Sequence, residues 1–433
     1  MKKAVRYLLL LTAAVMAFFL TSCSNMDLGI EGLMLPPKLT GEQSKLYTAL
    51  ETAAGTENIR LRYPKEGENK SAFRFLDMDD DGTDEAIVFY SIQDDDATRV
   101  NILRNIDNKW ISLYDSKGRE DGVVSVELAR FSTEKNCIVI GWQNTISENQ
   151  VLALYDFCDN TLSEVFAVRY HAAAVCDLTY DGFDDVVVFA PIDGSGETGV
   201  SLVTLKGKSI ETVSATKLAL GAVSYQSLIE EKAGRLENAL YADGKTTDGR
   251  YFTDIIFWEN GRLKSFFSDK PEDIPLRYEE LTCEDVDGDT VIEIPVQKVM
   301  TGTEAENEEP TYVTTYYQAS AVGIYRDFTA IVNLNDGYMF ELPHDWNDAV
   351  TLIKTADSGE WSINELLDGD IVGEELLKIK TVNKNTYHDK FDETYQLVAE
   401  KGVNQYYMFV TGKNSSLKKS FLECKNNFSV LER

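Results

Sequence analysis

Histidine and the recognised catalytic motifs are scarce in this chain of 433 residues. Only three histidines are present, His171, His344 and His388, and none has a histidine or cysteine three or four positions away. The sequence contains no G-x-S-x-G, no phosphate-binding glycine loop and no H-E-x-x-H. These absences exclude enzyme classes that depend on those motifs. We therefore predict neither catalytic nor cofactor-binding residues.

Cysteine is also sparse. Five cysteines follow Cys23, and they are Cys137, Cys158, Cys176, Cys283 and Cys424. Their number is odd, their spacing is irregular and no C-x-x-C pair occurs, which excludes a disulfide framework and a zinc site. We expect buried free thiols that pack as small hydrophobic side chains. A Cys137–Cys158 bridge is the alternative.

Basic residues are few relative to acidic ones. The chain has 42 lysines and arginines against 72 aspartates and glutamates, which gives a formal net charge of -30. A field of that sign repels phosphate backbones, so nucleic acid is excluded as a partner. Hydrophobic residues still make up 43% of the chain, which is enough for a folded core.

The first 22 residues have the pattern of a signal peptide. Lys2, Lys3 and Arg6 precede an apolar stretch from Leu8 to Leu20, which is too short to span a membrane comfortably. The stretch ends in Leu20-Thr21-Ser22-Cys23, which resembles the bacterial lipobox. The resemblance implies lipidation of Cys23 and a protein anchored at the cell membrane, facing away from the cytoplasm. An ordinary cleaved signal is the alternative.

The segment from residue 58 to 335 is β-patterned throughout. Strand-like runs alternate with polar turns, and similar hairpin turns recur about every 50 residues, at Asp107-Asn108, Asp159-Asn160, Gly207-Lys208 and Asn260-Gly261. Four short strands at this period are typical of a β-propeller blade. We predict a mainly β fold, a propeller of about five blades. A sixth blade would need Ile59–Tyr63 to pair with strands near Gly323–Leu334.

The remaining segments flank this propeller. Residues 23–57 are expected to form a tether and a short helix that starts near Thr40 and stops at Gly55. Residues 336–433 lack the repeat and are predicted to form a small α+β domain, with a helix from Ser416 to Phe428.

Three nine-residue acidic loops each precede an apolar strand. We name residues 77–85 loop one, 177–185 loop two and 285–293 loop three, and count positions 1 to 9 within each. Carboxylates at positions 1, 3, 5 and 9 of a tight loop can converge on a hard cation. The candidate ligands are Asp77, Asp79, Asp81 and Glu85; Asp177, Asp181 and Asp185; and Asp285, Asp287, Asp289 and Glu293.

The loops resemble the FG-GAP/VCBS-type repeats of integrin α-chain propellers and related bacterial surface proteins. In that family the loop oxygens bind calcium, so the resemblance implies a structural Ca²⁺ ion. Thr179 replaces an aspartate in loop two, and Thr290 stands at the usual turn glycine of loop three. An EF-hand is excluded because position 12 is Val88, Val188 or Val296 instead of a bidentate glutamate. Solvated acidic turns are the alternative.

Together these features predict a lipid-anchored cell-surface protein that binds or scaffolds and does not catalyse. Its expected ligand is an extracellular protein or a glycan. The alternative is a carbohydrate-active enzyme, a glycosidase with carboxylates at the propeller centre. Trp142, Trp258 and Tyr316-Tyr317 could line a sugar-binding surface, although aromatic residues on strands more often belong to the core.

Overall fold

The computed structural model describes residues 41–67, 70–93, 95–192, 197–232, 236, 238–303, 310–355, 359–368, 371–385 and 394–431. The predicted signal peptide and Cys23 lie outside these residues, so the lipid anchor stays a prediction. No helix within the described ranges is long and apolar enough to cross a membrane.

The described residues form six antiparallel sheets, named A to F in chain order. Helix α1 (Gly41–Ala54) comes first. Sheet A contains β1 (Ile59–Arg62), β2 (Phe73–Leu76), β3 (Glu85–Ile92), β4 (Asp95–Ile106) and β5 (Lys109–Lys117). Sheet B contains β6 (Gly122–Ser132), β7 (Lys135–Gln143), β8 (Gln150–Cys158) and β9 (Thr161–Arg169). Sheet C contains β10 (Ala172–Cys176), β11 (Asp185–Ile192), β12 (Glu197–Lys206) and β13 (Ser209–Lys217).

The second half of the chain forms the other three sheets. Sheet D contains β14 (Ser224–Glu230), β15 (Leu240–Lys245), β16 (Tyr251–Glu259), β17 (Arg262–Ser265) and β18 (Leu276–Arg277). Sheet E contains β19 (Glu293–Val299), β20 (Tyr312–Ser320), β21 (Gly323–Asn333), β22 (Tyr338–Glu341) and β28 (Phe428–Val430). Sheet F contains β23 (Val350–Thr355), β24 (Glu360–Leu367), β25 (Ile371–Asn383), β26 (Gln396–Lys401) and β27 (Asn404–Val410), and helix α2 spans Phe421–Asn426.

The hairpins form at the predicted turns because their residues tolerate positive φ angles. Asp107 and Asn108 have φ values of 52° and 63°, and Asn260 and Gly261 have 52° and 76°. Two consecutive residues at positive φ match the twist of the flanking strands and close a two-residue hairpin. The period of about 50 residues therefore marks two-residue hairpins in successive sheets, although in sheet C only Gly207 of the turn has a positive φ.

Consecutive sheets share apolar cores, and strands buried on both faces carry continuous apolar runs. In β3, Ile87 and Phe89 pack towards sheet B, while Val88 and Tyr90 pack towards Leu46 and Leu50 of α1. Further cores join B to C, C to D, D to E and E to F. Among the described residues no core joins sheet F to sheet A, whose outer face is covered by α1.

The mainly β propeller-type fold is confirmed, with six sheets where the repeats predicted about five. The proposed pairing of Ile59–Tyr63 with Gly323–Leu334 is wrong: β1 pairs with β3, and β21 pairs with β20 and β22. Sheet F lies in the segment predicted as α+β, and sheet E crosses residue 336 because β22 belongs to it. The predicted helix Ser416–Phe428 is shorter, since Phe428 pairs with Phe340.

Candidate metal centre

The three acidic loops share one backbone geometry. Each connects two antiparallel segments in the same register, with Leu76 opposite Glu85, Cys176 opposite Asp185 and Glu284 opposite Glu293. Positions 4 and 6 have positive φ in every loop, and these residues are Asp80, Gly82, Tyr180, Gly182, Gly288 and Thr290. The loops are therefore true structural repeats, and a site formed in one has an equivalent in the others.

Backbone amides fix the carboxylates of these loops. In loop one, Asp77 accepts hydrogen bonds of 3.1 Å from the N–H groups of Asp81 and Gly82. Asp81 accepts from Thr83 N–H at 2.9 Å, and Glu85 accepts from Met78 N–H at 3.1 Å. One ligand atom each from Asp77, Asp79 and Glu85 lie within 4.8 Å of one another. Three of the four predicted ligands of loop one are thus brought together, and Asp81 is not in this group.

Arg104 supplies loop one with a positive charge that no local sequence pattern indicates. Arg104 on β4 donates from Nε to Glu85 at 2.8 Å and also hydrogen bonds Asp79. Its Nη1 lies 3.5 Å from Asp81. Burial raises the pKa of Glu85, Asp79 raises it further, and Arg104 opposes both effects. The guanidinium thereby supplies positive charge where a calcium ion would otherwise supply it.

Loop two gathers fewer carboxylates. Asp177 accepts from Asp181 N–H and Gly182 N–H at 3.1 and 2.9 Å, as in loop one, and Asp185 accepts from Thr179 N–H at 2.9 Å. Asp185 is buried, and burial raises its pKa while the Thr204 hydroxyl lowers it. Thr179 contributes no carboxylate, so only three of the four ligand positions in loop two are acidic. Among the described residues the loop two carboxylates do not converge as those of loops one and three do.

Loop three also brings carboxylates together, and unlike those of loop one they have no ion pair with lysine or arginine among the described residues. Ligand atoms of Asp285, Asp287 and Asp289 lie within 4.8 Å of one another. Buried Glu293 accepts from Val286 N–H at 2.8 Å and from Gln318 Nε2 at 3.0 Å. Burial raises the pKa of Glu293 to about 7, and Asp287 and Asp289 contribute to the rise.

Two further carboxylates face loop three from the neighbouring strands. Burial raises the pKa of Asp327, and Asp287 and Asp289 raise it further. Burial likewise raises the pKa of Glu341, and the negative charge of Asp327 raises it further. Gln318 reaches Asp289 at 3.2 Å and Asp327 at 3.5 Å, but its amide carries no charge. Hard oxygen donors without nitrogen or sulfur suit Ca²⁺, Mg²⁺ or Mn²⁺ and do not suit Zn²⁺ or Cu²⁺.

Thr290 at position 6 of loop three has φ 75°, where loops one and two have glycine. A β-branched residue at positive φ is strained. Gly288 at position 4 provides the other positive-φ site, and Asp285 accepts from Gly288 N–H at 2.8 Å and Thr290 N–H at 3.0 Å. Thr290 therefore alters the hydrogen-bond pattern of position 1 without changing the path of the loop.

The sheets without acidic loops contact the loops of their neighbours. Arg130 on β6 reaches Asp80 of loop one at 3.3 Å, and its backbone N–H donates to Asp184 of loop two at 2.7 Å. In sheet D, Asn238 donates to Asp177 O at 3.0 Å. The loops thus connect neighbouring sheets at one end of the fold. No local sequence pattern signals these contacts because their partners are about 50 residues or more apart.

A separate cleft lies between sheets B, C and D, beside the turn that joins β7 to β8 and the first residues of β10 and β14. Strand β10 contacts both β6 and β14, so these strands surround a common axis. The cleft has a volume of about 440 Å³ and opens beside the first residues of β10 and β14, Ala172 and Ser224. Its other lining residues include Glu66, Gln143, Glu148, Asn149, Gln150 and His171.

Other candidates from the sequence have structural positions. Trp142 and Tyr316 are buried in cores, so neither lines a sugar-binding surface. All five described cysteines are free, and Cys137 is buried whereas Cys158 is exposed, so the alternative disulfide does not form. Burial lowers the pKa of His171. His388 and residues 304–309 lie outside the described part of the chain.

No protein-family model and no curated protein matches this chain. Similar solved structures include a protein from Lactobacillus plantarum, at 8% identity over 72% of this chain and 85% of that chain, with a TM-score of 0.31. The match to the Dos1 propeller covers 78% of this chain and 81% of that chain, at 8% identity and a TM-score of 0.29. The match to a putative 6-phosphogluconolactonase from Bacteroides fragilis covers 73% of this chain and 92% of that chain, at 10% identity and a TM-score of 0.28. At these TM-scores the likeness carries no inference about ligand or activity.

Proposed function

We propose that the protein is a lipid-anchored, cell-surface binding protein whose propeller-type fold is stabilised by calcium at loop three. The N-terminal lipobox pattern supports the anchor, and the likeness of the loops to FG-GAP/VCBS-type repeats supports the metal. The ligand is an extracellular protein or a glycan.

One observation carries the calcium assignment. Asp285, Asp287 and Asp289 converge, and Glu293, Asp327 and Glu341 are close enough for the charges of these aspartates to raise their pKa values. Gln318 is neutral where loop one has Arg104. Carboxylates this close repel one another unless a cation neutralises them. Loop three therefore takes calcium in preference to loop one, whose charge Arg104 already offsets.

The four loop-three ligands would hold the ion, and the ion would join the segment before β19 to the start of that strand. Extracellular calcium sites commonly bind at about 0.1 to 1 mM. At a calcium concentration about twentyfold above such a constant, binding adds roughly 1.8 kcal/mol to the free energy of unfolding. The ion thus acts on stability and on loop order, and no reaction step depends on it.

Thermal melts of the chain starting at Ser24, in calcium and in chelator, test this assignment. The parent should melt higher in calcium, and Asp287→Asn should remove most of that shift. Asp79→Asn is the matched control, because it makes the same change at position 3 of loop one, and it should keep the shift. If millimolar calcium does not move the parent melting temperature, the metal assignment is wrong.

The cleft at the axis of sheets B, C and D is the proposed ligand site. Its volume of about 440 Å³ falls within the usual range of ligand pockets. Gln143, Asn149 and Gln150 offer amide donors and acceptors that suit the hydroxyl groups of a glycan. Glycan arrays with the parent, Gln150→Ala and a distant control, Asn136→Ala, test the site. Retention of every glycan signal by Gln150→Ala would argue against it.

The same cleft keeps a carbohydrate-active function as the second candidate. Glu66 and Glu148 both line it, and glycosidases use a pair of carboxyl groups on either side of the scissile bond. Release of reducing sugar by the parent, lost in both Glu66→Gln and Glu148→Gln, would favour the enzyme. Glycan binding without turnover would favour the binding protein.

A further inference from the structure

A second cavity lies between sheets E and F, at the half of β19 away from loop three. It has a volume of about 160 Å³. Its floor is apolar and buried, formed by Met300, Val313, Leu342 and Val350. The exposed charged residues that line it are Lys298, Arg326 and Asp348, so they form its mouth. The interior of the cavity thus combines these apolar side chains with the buried polar Gln297 and Thr329, and its opening is charged.

The size of the cavity suits a small apolar group. An engineered apolar cavity of about 150 Å³ in another protein binds benzene. One aromatic ring or one branched alkyl group would therefore fill this interior. Longer chains or several rings would not fit without displacing buried side chains.

An unpaired acceptor lines the cavity. The Asn347 side-chain oxygen is buried and has no hydrogen-bond partner among the described residues. A buried polar atom left without a partner is destabilising, because it has lost its hydrogen bonds to water. A ligand that places an N–H or O–H group beside Asn347 would remove this destabilisation.

The mouth favours a negative group. Arg326 donates to Thr329 at 2.7 Å and has no carboxylate within ion-pairing distance among the described residues. Lys298 is already paired with Asp348. Two cations and one anion leave a net positive charge here, in a chain whose overall charge is -30. An arginine fork matches a carboxylate in geometry as well as charge.

We propose that this cavity binds a small apolar carboxylic acid that carries a hydrogen-bond donor next to its carboxylate, the chemistry of an apolar 2-hydroxy acid or amino acid. The apolar group enters between the sheets, the carboxylate meets Arg326, and the donor meets Asn347. The site is distinct from the calcium loops and from the axial cleft, so it stands whether or not those assignments hold.

Titrations of the full chain by NMR or calorimetry, with calcium and without it, test the site. The probes are 3-phenyllactate, 3-phenylpropionate, which lacks the hydroxyl donor, and 2-phenylethanol, which lacks the carboxylate. We expect 3-phenyllactate to bind saturably and about tenfold more tightly than either relative. No saturable binding of 3-phenyllactate up to about 10 mM, or equal binding of 2-phenylethanol, would overturn the proposal.

Matched variants separate the two polar contacts. Arg326→Gln should weaken 3-phenyllactate about tenfold, whereas Arg60→Gln, an exposed arginine on sheet A, should leave it unchanged. Asn347→Ala should abolish the preference for 3-phenyllactate over 3-phenylpropionate. Unchanged binding in Arg326→Gln would refute the proposal, since Arg326 is exposed and its loss leaves the core intact.

Discussion

Gln318 lies directly opposite Glu293 in sheet E and donates a 3.0 Å hydrogen bond to its carboxylate. In sheet A the equivalent pair is Arg104 and Glu85, with an Nε–Oε1 distance of 2.8 Å. In sheet C, Thr204 has this position beside Asp185. One side chain on the adjacent strand therefore determines how much positive charge each acidic loop receives from the protein itself.

Replacing Gln318 with lysine should abolish the calcium response of loop three. The ammonium would lie beside Glu293 and Asp289, as Arg104 lies beside Glu85 and Asp79. We expect Gln318→Lys to melt higher than the parent in chelator and to gain less than about a third of the parent's calcium shift. Gln318→Glu is the control of opposite sign and should lower the melting temperature in chelator. An undiminished calcium shift in Gln318→Lys would contradict the charge argument.

The reciprocal change should create calcium dependence in loop one. Arg104→Gln removes the guanidinium from Asp79, Asp81 and Glu85. These three carboxylates and that of Asp77 then face one another without a cation. The variant should lose about 2 to 4 kcal/mol in chelator, because buried Glu85 loses its charged partner, and should regain part of it in calcium. Calorimetry should then count one more calcium ion than in the parent. An unchanged count would mean that loop one cannot coordinate the ion.

Arg277 and Asp243 form a fully buried ion pair in sheet D, with an Nη2–Oδ1 distance of 2.7 Å. Arg277 also donates to Thr253 Oγ1 at 2.8 Å and to Leu281 O at 2.5 Å. Arg277→Met should lower the free energy of unfolding by about 3 to 5 kcal/mol, since it leaves the Asp243 charge buried without its partner. The exposed pair Lys264–Glu259 is the control, and Lys264→Met should cost less than about 1 kcal/mol in urea denaturation. Equal losses would disprove the special role of the buried pair.

Asp254 should make stability depend on pH. Burial raises its pKa to about 6, while Ser265 hydroxyl and backbone N–H groups oppose the rise. Because the folded chain holds this proton more tightly than the unfolded chain, the stabilisation is present below pH 3.8 and is lost as pH rises through 6. The asparagine of Asp254→Asn cannot titrate. The free energy of unfolding of the variant minus that of the parent should therefore rise by about 2 to 3 kcal/mol between pH 4 and pH 7. A constant difference, measured alongside the exposed control Asp269→Asn, would rule this out.

The anchor prediction concerns Cys23. Cys23→Ala removes the only side chain of the Leu20-Thr21-Ser22-Cys23 pattern that can be lipidated. We expect the variant to leave the membrane fraction or to remain unprocessed, while Ser22→Gly, another small residue before the cysteine, stays lipidated. Membrane-bound, lipid-labelled Cys23→Ala would show that the pattern was misread.

Structural features that depend only on residues close together in the chain could be predicted from the sequence. The acidic loops and the hairpin turns each lie within nine residues, and their positive-φ positions are occupied by glycine, asparagine or aspartate in most cases. The partner of each loop could not be predicted. Arg104 is 19 residues from Glu85, and the register between β3 and β4 shifts near Tyr90, so counting along the strands fails.

The number of sheets was underestimated for a related reason. Within the described residues sheet F has no acidic loop, and its two-residue turn at Gly402-Val403 does not continue the 50-residue spacing of the earlier hairpins. Strand β28 has only three residues. It pairs with β22, although all the strands of sheet F lie between β22 and β28 in the sequence. The sequence pattern of so short a strand cannot be distinguished from the end of the helix before it.

The return of β28 to sheet E has a consequence for biosynthesis. Sheets A to D are each made from one continuous stretch of chain, so each can close as soon as its last strand is made. Sheet E cannot, because Tyr338–Phe340 of β22 pairs with Phe428–Val430 of β28. Strand β28 is made only after all of sheet F. During translation the edge of β22 stays open, and its unpaired backbone groups are available to other strands. A chaperone that acts on this protein would therefore be needed late in synthesis, when the first four sheets are already folded.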